Sequence, residues 1–258
     1  MKKVIVISLG GSLIIPEEID VKFLEQFKKI ILKNTKNYKF VVICGGGSIA
    51  RKYISALEDE GINEKMRSFA GISATRMNAR FVSYFFNTDP EKGIPEKIKS
   101  IEEYLKKQDI VFCGALEYHP NQTSDSTSAQ IAQHFKTEFI NLTNVPGLYD
   151  RNPIKSKTLR CPSEAEKRYR PSVLRGESAR EIRGFSRNAK FIPEISWKNF
   201  YKMTNKIKFK PGQHFVLDQK ASKIIMENKI PTYILGKDMN QLDNLLNSKK
   251  FKGTIIKG

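Results

Sequence analysis

Two short glycine runs carry the clearest chemistry in this sequence. Gly10-Gly11-Ser12 follows the apolar run Val4–Leu9, and Gly45-Gly46-Gly47-Ser48 follows Phe40–Cys44. Glycine lets a backbone approach a phosphate with no Cβ in the way, and the helix that follows offers free N–H groups and the positive end of its dipole. Arg51, one turn into the stretch after the second run, adds a cation. One glycine turn between a strand and a helix often serves only to turn. A pair on neighbouring strands points to donor and acceptor phosphates held face to face. Neither run has the Walker spacing or the dinucleotide fingerprint, which excludes an ordinary P-loop or Rossmann site.

These loops need elements that present strand ends side by side. Buried strands are expected at Val4–Leu9, Phe40–Cys44, Ile110–Cys113, Phe139–Leu142, Thr232–Leu235 and Gly253–Ile256. Apolar residues at helical spacing run over Glu17–Lys33, Ser48–Leu57, Glu64–Phe86, Ser126–Phe135, Val216–Met226 and Met239–Leu246. Strands and helices alternating at this pace predict parallel pairing and a sheet covered on both faces. The fold class is α/β, a three-layer α/β/α sandwich with a mostly parallel central sheet.

Composition narrows the function classes. No apolar run approaches the roughly 18 residues of a membrane span, and the apolar N-terminal stretch runs into Gly10-Gly11 rather than a cleavage pattern, so a first strand is expected there. Cys44, Cys113 and Cys161 are sparse and far apart, which fits a reducing compartment and buried thiols. His119, His134 and His214 are too scattered for a zinc site, and His119 and His214 read as polar loop residues. The formal charge of +18 attracts anions in general, but the lysines are spread along the chain, as on a solvated surface. Of twelve arginines, seven fall between Thr158 and Arg187, where Lys167 is the only lysine. That stretch has few apolar residues and reads as an exposed insertion.

Taken together, the runs Ser8-Leu9-Gly10-Gly11-Ser12-Leu13 and Gly45-Gly46-Gly47-Ser48-Ile49-Ala50-Arg51-Lys52-Tyr53-Ile54 resemble the amino acid kinase superfamily. Within it the chain is most similar to the archaeal type of uridylate (UMP) kinase. Gly71-Ile72-Ser73-Ala74-Thr75-Arg76-Met77-Asn78-Ala79 resembles a helix segment typical of that subgroup, and Thr123-Ser124-Asp125-Ser126 its Thr-Thr-Asp acceptor loop. Thr143-Asn144-Val145-Pro146-Gly147-Leu148-Tyr149 resembles its nucleotide segment. The resemblance covers nearly the whole chain except about 158–187.

The resemblance implies transfer of the γ-phosphoryl group of ATP to UMP, with Mg²⁺ carried by ATP rather than by a metal site of the protein. It implies a single domain over 1–258, with an acceptor-binding part at about 1–142, an ATP-binding part at about 143–258 and the Arg-rich insertion at about 158–187. Gly11, Ser12, Gly47 and Arg51 would meet the ATP phosphates, and Thr143, Asn144, Tyr149 and Asn152 the adenosine, with Lys223 on a following helix. Gly46, Ser68 and the loop Glu117, Tyr118, His119, Pro120, Asn121, Gln122 and Thr123 would hold UMP. Lys210 would stabilise the moving charge together with Arg51, and Asp125 would orient the reacting groups rather than act as a base. A cytoplasmic homo-oligomer, dimer-based and up to a hexamer, is expected, with no membrane partner and with nucleic acid left as the lesser alternative.

The sequence also departs from its subgroup. Ser68 stands where the subgroup has an aspartate for the acceptor ribose, the loop before Thr123 lacks the usual glycines, and Pro146 and Asn152 replace aspartates. Glu117 would bring a negative side chain to the acceptor phosphate unless it turns away or meets Mg²⁺. These changes permit another acceptor, or a nucleotide- or RNA-binding protein on the same scaffold. Isopentenyl phosphate kinase would need a histidine in the second glycine loop, where Gly47-Ser48-Ile49-Ala50-Arg51-Lys52 has none.

Overall fold

The structure, a computed structural model, describes residues 2–120, 122–150, 152–153, 185–186, 189–206 and 216–258. Nearly all of the Arg-rich stretch, Cys161, Asn121, Lys210 and His214 lie outside the described residues, and Asn152 is described as backbone only. Two compact units are present, one formed by residues 1–147 and 193–258 and the other by 148–192.

The first unit opens with β1 (Lys3–Leu9), β2 (Tyr38–Cys44), β3 (Ile110–Cys113) and β4 (Phe139–Leu142). In the second unit, β5 (Leu148–Tyr149) pairs antiparallel with β8 (Phe191–Ile192), and β6 (Asn152–Pro153) pairs parallel with β7 (Phe185–Ser186). The first unit resumes with β9 (Glu194–Ile195), β10 (Thr232–Leu235) and β11 (Thr254–Ile256). Its sheet has the order β3-β2-β1-β4-β10-β11-β9, and every neighbouring pair is parallel except β10 with β11.

The helices are α1 (Gly11–Ile14), α2 (Val21–Asn34), α3 (Gly47–Asp59), α4 (Glu64–Phe85), α5 (Ile98–Lys107), α6 (Ser124–His134), α7 (Trp197–Asn205), α8 (Gln219–Glu227) and α9 (Met239–Leu246). Successive strand residues face opposite sides of a sheet. Ile5, Ile7 and Leu9 of β1 join Phe40, Val42 and Cys44 of β2 in one core with Phe23, Leu24, Phe27 and Ile31 of α2 and Met239, Leu242 and Leu246 of α9. The alternate residues, Val6 and Ser8, Val41 and Ile43, are equally buried on the other face. There α6 packs against β1, β2 and β4, with α8 against α6 and α7 against α8. Both faces are covered, and strands apolar on both sides are the reason.

Three helix starts differ from the sequence expectation by two residues or more, each because of a cap. α2 begins at Val21 rather than Glu17, since the Asp20 side chain accepts from Phe23 N–H at 3.1 Å. α8 begins at Gln219 rather than Val216, capped by Asp218, which accepts from Ala221 N–H at 2.8 Å. α6 begins at Ser124 because Thr123 and Ser126 form a reciprocal capping box. Asp125 is thus inside the first turn and is not the cap. α5 and α7 were not expected from the sequence. Both are short, ten and nine residues, and each buries only two side chains, Ile101 and Leu105 in α5 and Phe200 and Thr204 in α7.

Candidate active site

Register brings the loops together. Leu9 pairs with both Cys44 and Leu142, and Leu142 pairs with Leu235, so four strands end level at their carboxyl edge. The ladder continues one residue further. Gly10 N–H donates to Leu142 (3.0 Å), Gly45 N–H to Leu9 (2.9 Å) and Thr143 N–H to Leu235 (2.9 Å). The carboxyl edge of an open α/β sheet is where such folds place ligands.

The two glycine loops touch backbone to backbone. A Cβ on Gly11 would overlap Gly47 N and lie 2.6 Å from Gly47 Cα and 2.7 Å from the Gly45 carbonyl carbon. Gly47 itself has φ +63°, a conformation that side chains rarely adopt, and a Cβ there would lie 2.6 Å from Gly11 O. Neither loop has room for anything but glycine at these points. α1 and α3 begin just after Gly10 and Gly46 with no side-chain cap, as does α5 after Lys97, whereas α2, α4, α6, α7, α8 and α9 each have one. Free first-turn N–H groups are what an anion needs from a helix start. Arg51 is exposed on α3 and makes no ion pair among the described residues.

Behind the loops lies a polar cluster on the α6 side of the sheet. Ser8, 1% exposed at the end of β1, donates to Asp125 Oδ1 at 3.0 Å. Thr123 donates to Asp218, which also caps α8. Burial pushes the Asp125 carboxyl up to about 7, the Asp218 carboxylate adds to the rise, and the Ser8 hydroxyl opposes it. Carboxylates that act on one another in this way favour a proton on one of them or a cation nearby. Ser8 and Asp218 were missed in the sequence. Ser8 is one polar residue in an apolar strand, and that interruption was the only signal.

The loop between β3 and α6, expected from the sequence to meet the acceptor, is held from several sides. Its start is fastened to α4, where Thr75 accepts from Ala115 N–H (2.9 Å) and the Phe69 ring stacks on Tyr118 at 5.2 Å. Glu117 turns to Lys97, 3.0 Å away and exposed, so its charge is answered by a surface cation. Further along, Lys220 donates to the Pro120 carbonyl (3.3 Å), and Gln122 donates from Nε2 to Thr127 (3.0 Å) and Gln130 (2.7 Å). Gln122 Oε1 is buried with no hydrogen-bond partner among the described residues. His119 is exposed. Ser68 lies on α4 about two turns before Thr75, on the same helix face.

The remaining sequence-predicted residues are dispersed. Ser12 is half-buried in α1, Thr143 is half-buried and Asn144 exposed just past β4. Tyr149 belongs to the second unit, where its ring meets Phe191 edge-on at 5.5 Å. Lys223 is exposed on α8 and lies 3.8 Å from Glu227. Among the described residues no group of three His, Cys, Asp or Glu side chains could hold a metal by itself. Cys44 and Cys113 are buried free thiols, and burial pushes both well up.

Known proteins are similar to this chain over nearly its whole length. The uridylate kinase of Thermoplasma volcanium is 30% identical over 258 residues, covering 99% of this chain and 98% of its own. That of Thermococcus kodakarensis is 27% identical over 254 residues, 98% of each chain. The crystal structure of uridylate kinase from Archaeoglobus fulgidus superposes with a TM-score of 0.72 at 27% identity, covering 99% of this chain and 100% of that one. The model of the amino acid kinase family matches residues 3–166, the stretch that contains both glycine loops, the loop 114–123 and Asp125. With that match, and with the parallel sheet that sets the two loops against each other, the chain belongs to the amino acid kinase family.

Proposed function

We propose that this chain is an ATP-dependent UMP kinase, which transfers the γ-phosphoryl group of ATP to UMP and releases ADP and UDP, a step of pyrimidine nucleotide biosynthesis. The observation that carries the reading is the backbone contact of Gly11 with Gly45 and Gly47, which sets two uncapped helix starts side by side at one sheet edge. Full-length similarity to uridylate kinases supplies the acceptor.

An oxygen of the UMP phosphate attacks the γ-phosphorus in line, and the bond to the β–γ bridging oxygen breaks. A phosphate monoester is largely dianionic near pH 7, with a second pKa of about 6, so the nucleophile needs no general base. The protein's part is position and charge. Gly11, Ser12, Gly47 and Arg51 hold the ATP phosphates, Gly46 the UMP phosphate, and Lys210 neutralises charge on the moving group. Ser68 and residues 117–123 hold the rest of UMP, Asn121 among them, and the buried Gln122 Oε1 is an acceptor in want of a donor. Thr143, Asn144, Tyr149, Asn152 and Lys223 serve the ATP side. On this reading, acceptor binding belongs to about 1–142 and ATP binding to about 143–258, with about 158–187 an insertion.

Mg²⁺ would arrive with ATP, as this metal usually does, held by one or two carboxylates and the phosphates. The donor set fits. Asp125 and Asp218 repel one another, and a cation would relieve that repulsion. The ion would neutralise charge between the phosphates.

An apolar stripe on α3 and α4, exposed at Tyr53 (50%), Met66 (53%) and Met77 (47%), suits packing against a second copy and supports a homo-oligomer. Buried free thiols support a cytoplasmic setting. Among the described residues no helix is long and apolar enough to cross a membrane.

The test is a coupled assay with Mg²⁺–ATP and UMP, CMP, carbamate, acetylglutamate or isopentenyl phosphate. UMP is expected to turn over best, and turnover of another acceptor without UMP sinks the assignment while leaving the family intact. Arg51→Ala is expected to weaken ATP binding by roughly 1–3 kcal/mol, the worth of a charged hydrogen bond. Calorimetric titration reads this directly, and an unchanged affinity removes Arg51 from the site.

A further inference from the structure

α4 reaches both substrate loops at once, through side chains that none of the roles above uses. Arg76 donates from Nε to the Ala115 carbonyl (3.1 Å) and from Nη2 to the Leu116 carbonyl (2.9 Å), while its Nη1 pairs with Glu96 at 2.8 Å. Next to it, Thr75 takes the Ala115 N–H and donates to Ile72 O (2.7 Å). Asn78, 1% exposed, donates from Nδ2 to the Gly45 carbonyl at 2.7 Å. Gly114 permits the approach, since a Cβ there would lie 2.5 Å from Arg76 N and 2.7 Å from the Thr75 carbonyl carbon.

We propose that Thr75, Arg76 and Asn78 form a strut that fixes the acceptor loop relative to the second glycine loop, with Arg76 the positioning residue for the acceptor. The proposal rests on the reading that residues 117–123 hold UMP. The chain between β3 and α6 has no ladder of its own. Ala115 and Leu116 are where its path is set, and one planar guanidinium fixes both carbonyls. A lysine ammonium cannot reproduce that fork. The ion pair with Glu96 is half-exposed and contributes little by itself, so the two carbonyl bonds dominate. Without them the loop shifts against Gly46, and the loss falls on the acceptor. Ser12 and Gly47 on the ATP side keep their own backbone supports. Asn78 differs, because Gly45 precedes the residues assigned to both phosphates.

The experiment measures KM for UMP, KM for ATP and kcat in the full-length wild type, Arg76→Ala, Arg76→Lys and Asn78→Ala. Both Arg76 variants are expected to raise KM for UMP by about tenfold or more, with KM for ATP within about twofold, as when a binding contact to one substrate is lost. Asn78→Ala is expected to raise both. KM does not depend on the fraction of enzyme that is folded, so poorly folding variants still report. Arg76 variants that raise both KM values equally, or neither, overturn the proposal. A wild type that uses another acceptor in place of UMP overturns the UMP reading instead. The same ratio, measured with that acceptor, then tests the strut.

Discussion

Gly11→Ala is expected to lower kcat by at least about 10²-fold, the cost of misplacing reacting groups by roughly 1 Å. The added methyl does not meet a side chain that could swing away. It meets the backbone of Gly47 and of Gly45, and Gly45 is tied to the end of β1 by its N–H to Leu9. Relief requires α1 or the second loop to retreat, and either movement separates the donor phosphates from the acceptor. On the proposed reading Gly11 and Gly47 serve ATP and Gly46 serves UMP, so KM for both substrates should rise together. Overpacking of this kind costs roughly 1–3 kcal/mol of stability, so a lowered thermal midpoint is expected as well. Near-wild-type kcat with unchanged KM values would show that the loops do not bear the phosphates.

The glycine loops could be read from the sequence because each lies directly after an apolar strand, and both signals are local. The six main strands were legible for the same reason. They are apolar on both faces, and Gly253–Ile256 differs from the observed β11 only at its first residue. What could not be read is whatever depends on a partner far along the chain. Ser8 and Asp125 are 117 residues apart, and Thr123 and Asp218 are 95 apart. Nothing near Ser8 says that a carboxylate will lie across it. The Thr75–Asn78 segment had a recognisable pattern but no readable role, since its partners are main-chain carbonyls whose positions only the fold supplies. Glu117 seemed a liability for the same reason: Lys97, which answers it, is on another segment.

Ser68 remains the sharpest difference from the subgroup. One hydroxyl offers fewer acceptor positions than a carboxylate to a ribose. The Phe69–Tyr118 stack, next to it on α4, ties the acceptor loop to that helix by apolar contact. The loop 114–123 leans on α4 through Phe69, Thr75 and Arg76, so Ser68 sits on a helix that also holds that loop.

Asp125→Asn is expected to make the free protein more stable above neutral pH while lowering kcat by about 10²-fold, the scale of a lost orientation. The sign follows from the raised carboxyl. Asp125 titrates at about 7 in the fold against 3.8 in an ordinary carboxyl. The folded protein therefore holds this proton more tightly than the unfolded chain does. Its contribution to stability is fully present below the ordinary value and is lost as pH rises through about 7. Asparagine cannot ionise, yet its carbonyl can still accept from Ser8, so the variant loses this pH dependence and keeps the hydrogen bond. Thermal midpoints measured from about pH 5 to about pH 8 should fall more steeply for the wild type than for the variant. Adding Mg²⁺–ATP should reverse the order at the upper end, because a cation near Asp125 and Asp218 favours the ionised carboxyl that only the wild type has. A variant with wild-type kcat and a parallel pH profile would show that Asp125 neither orients the reaction nor faces a cation.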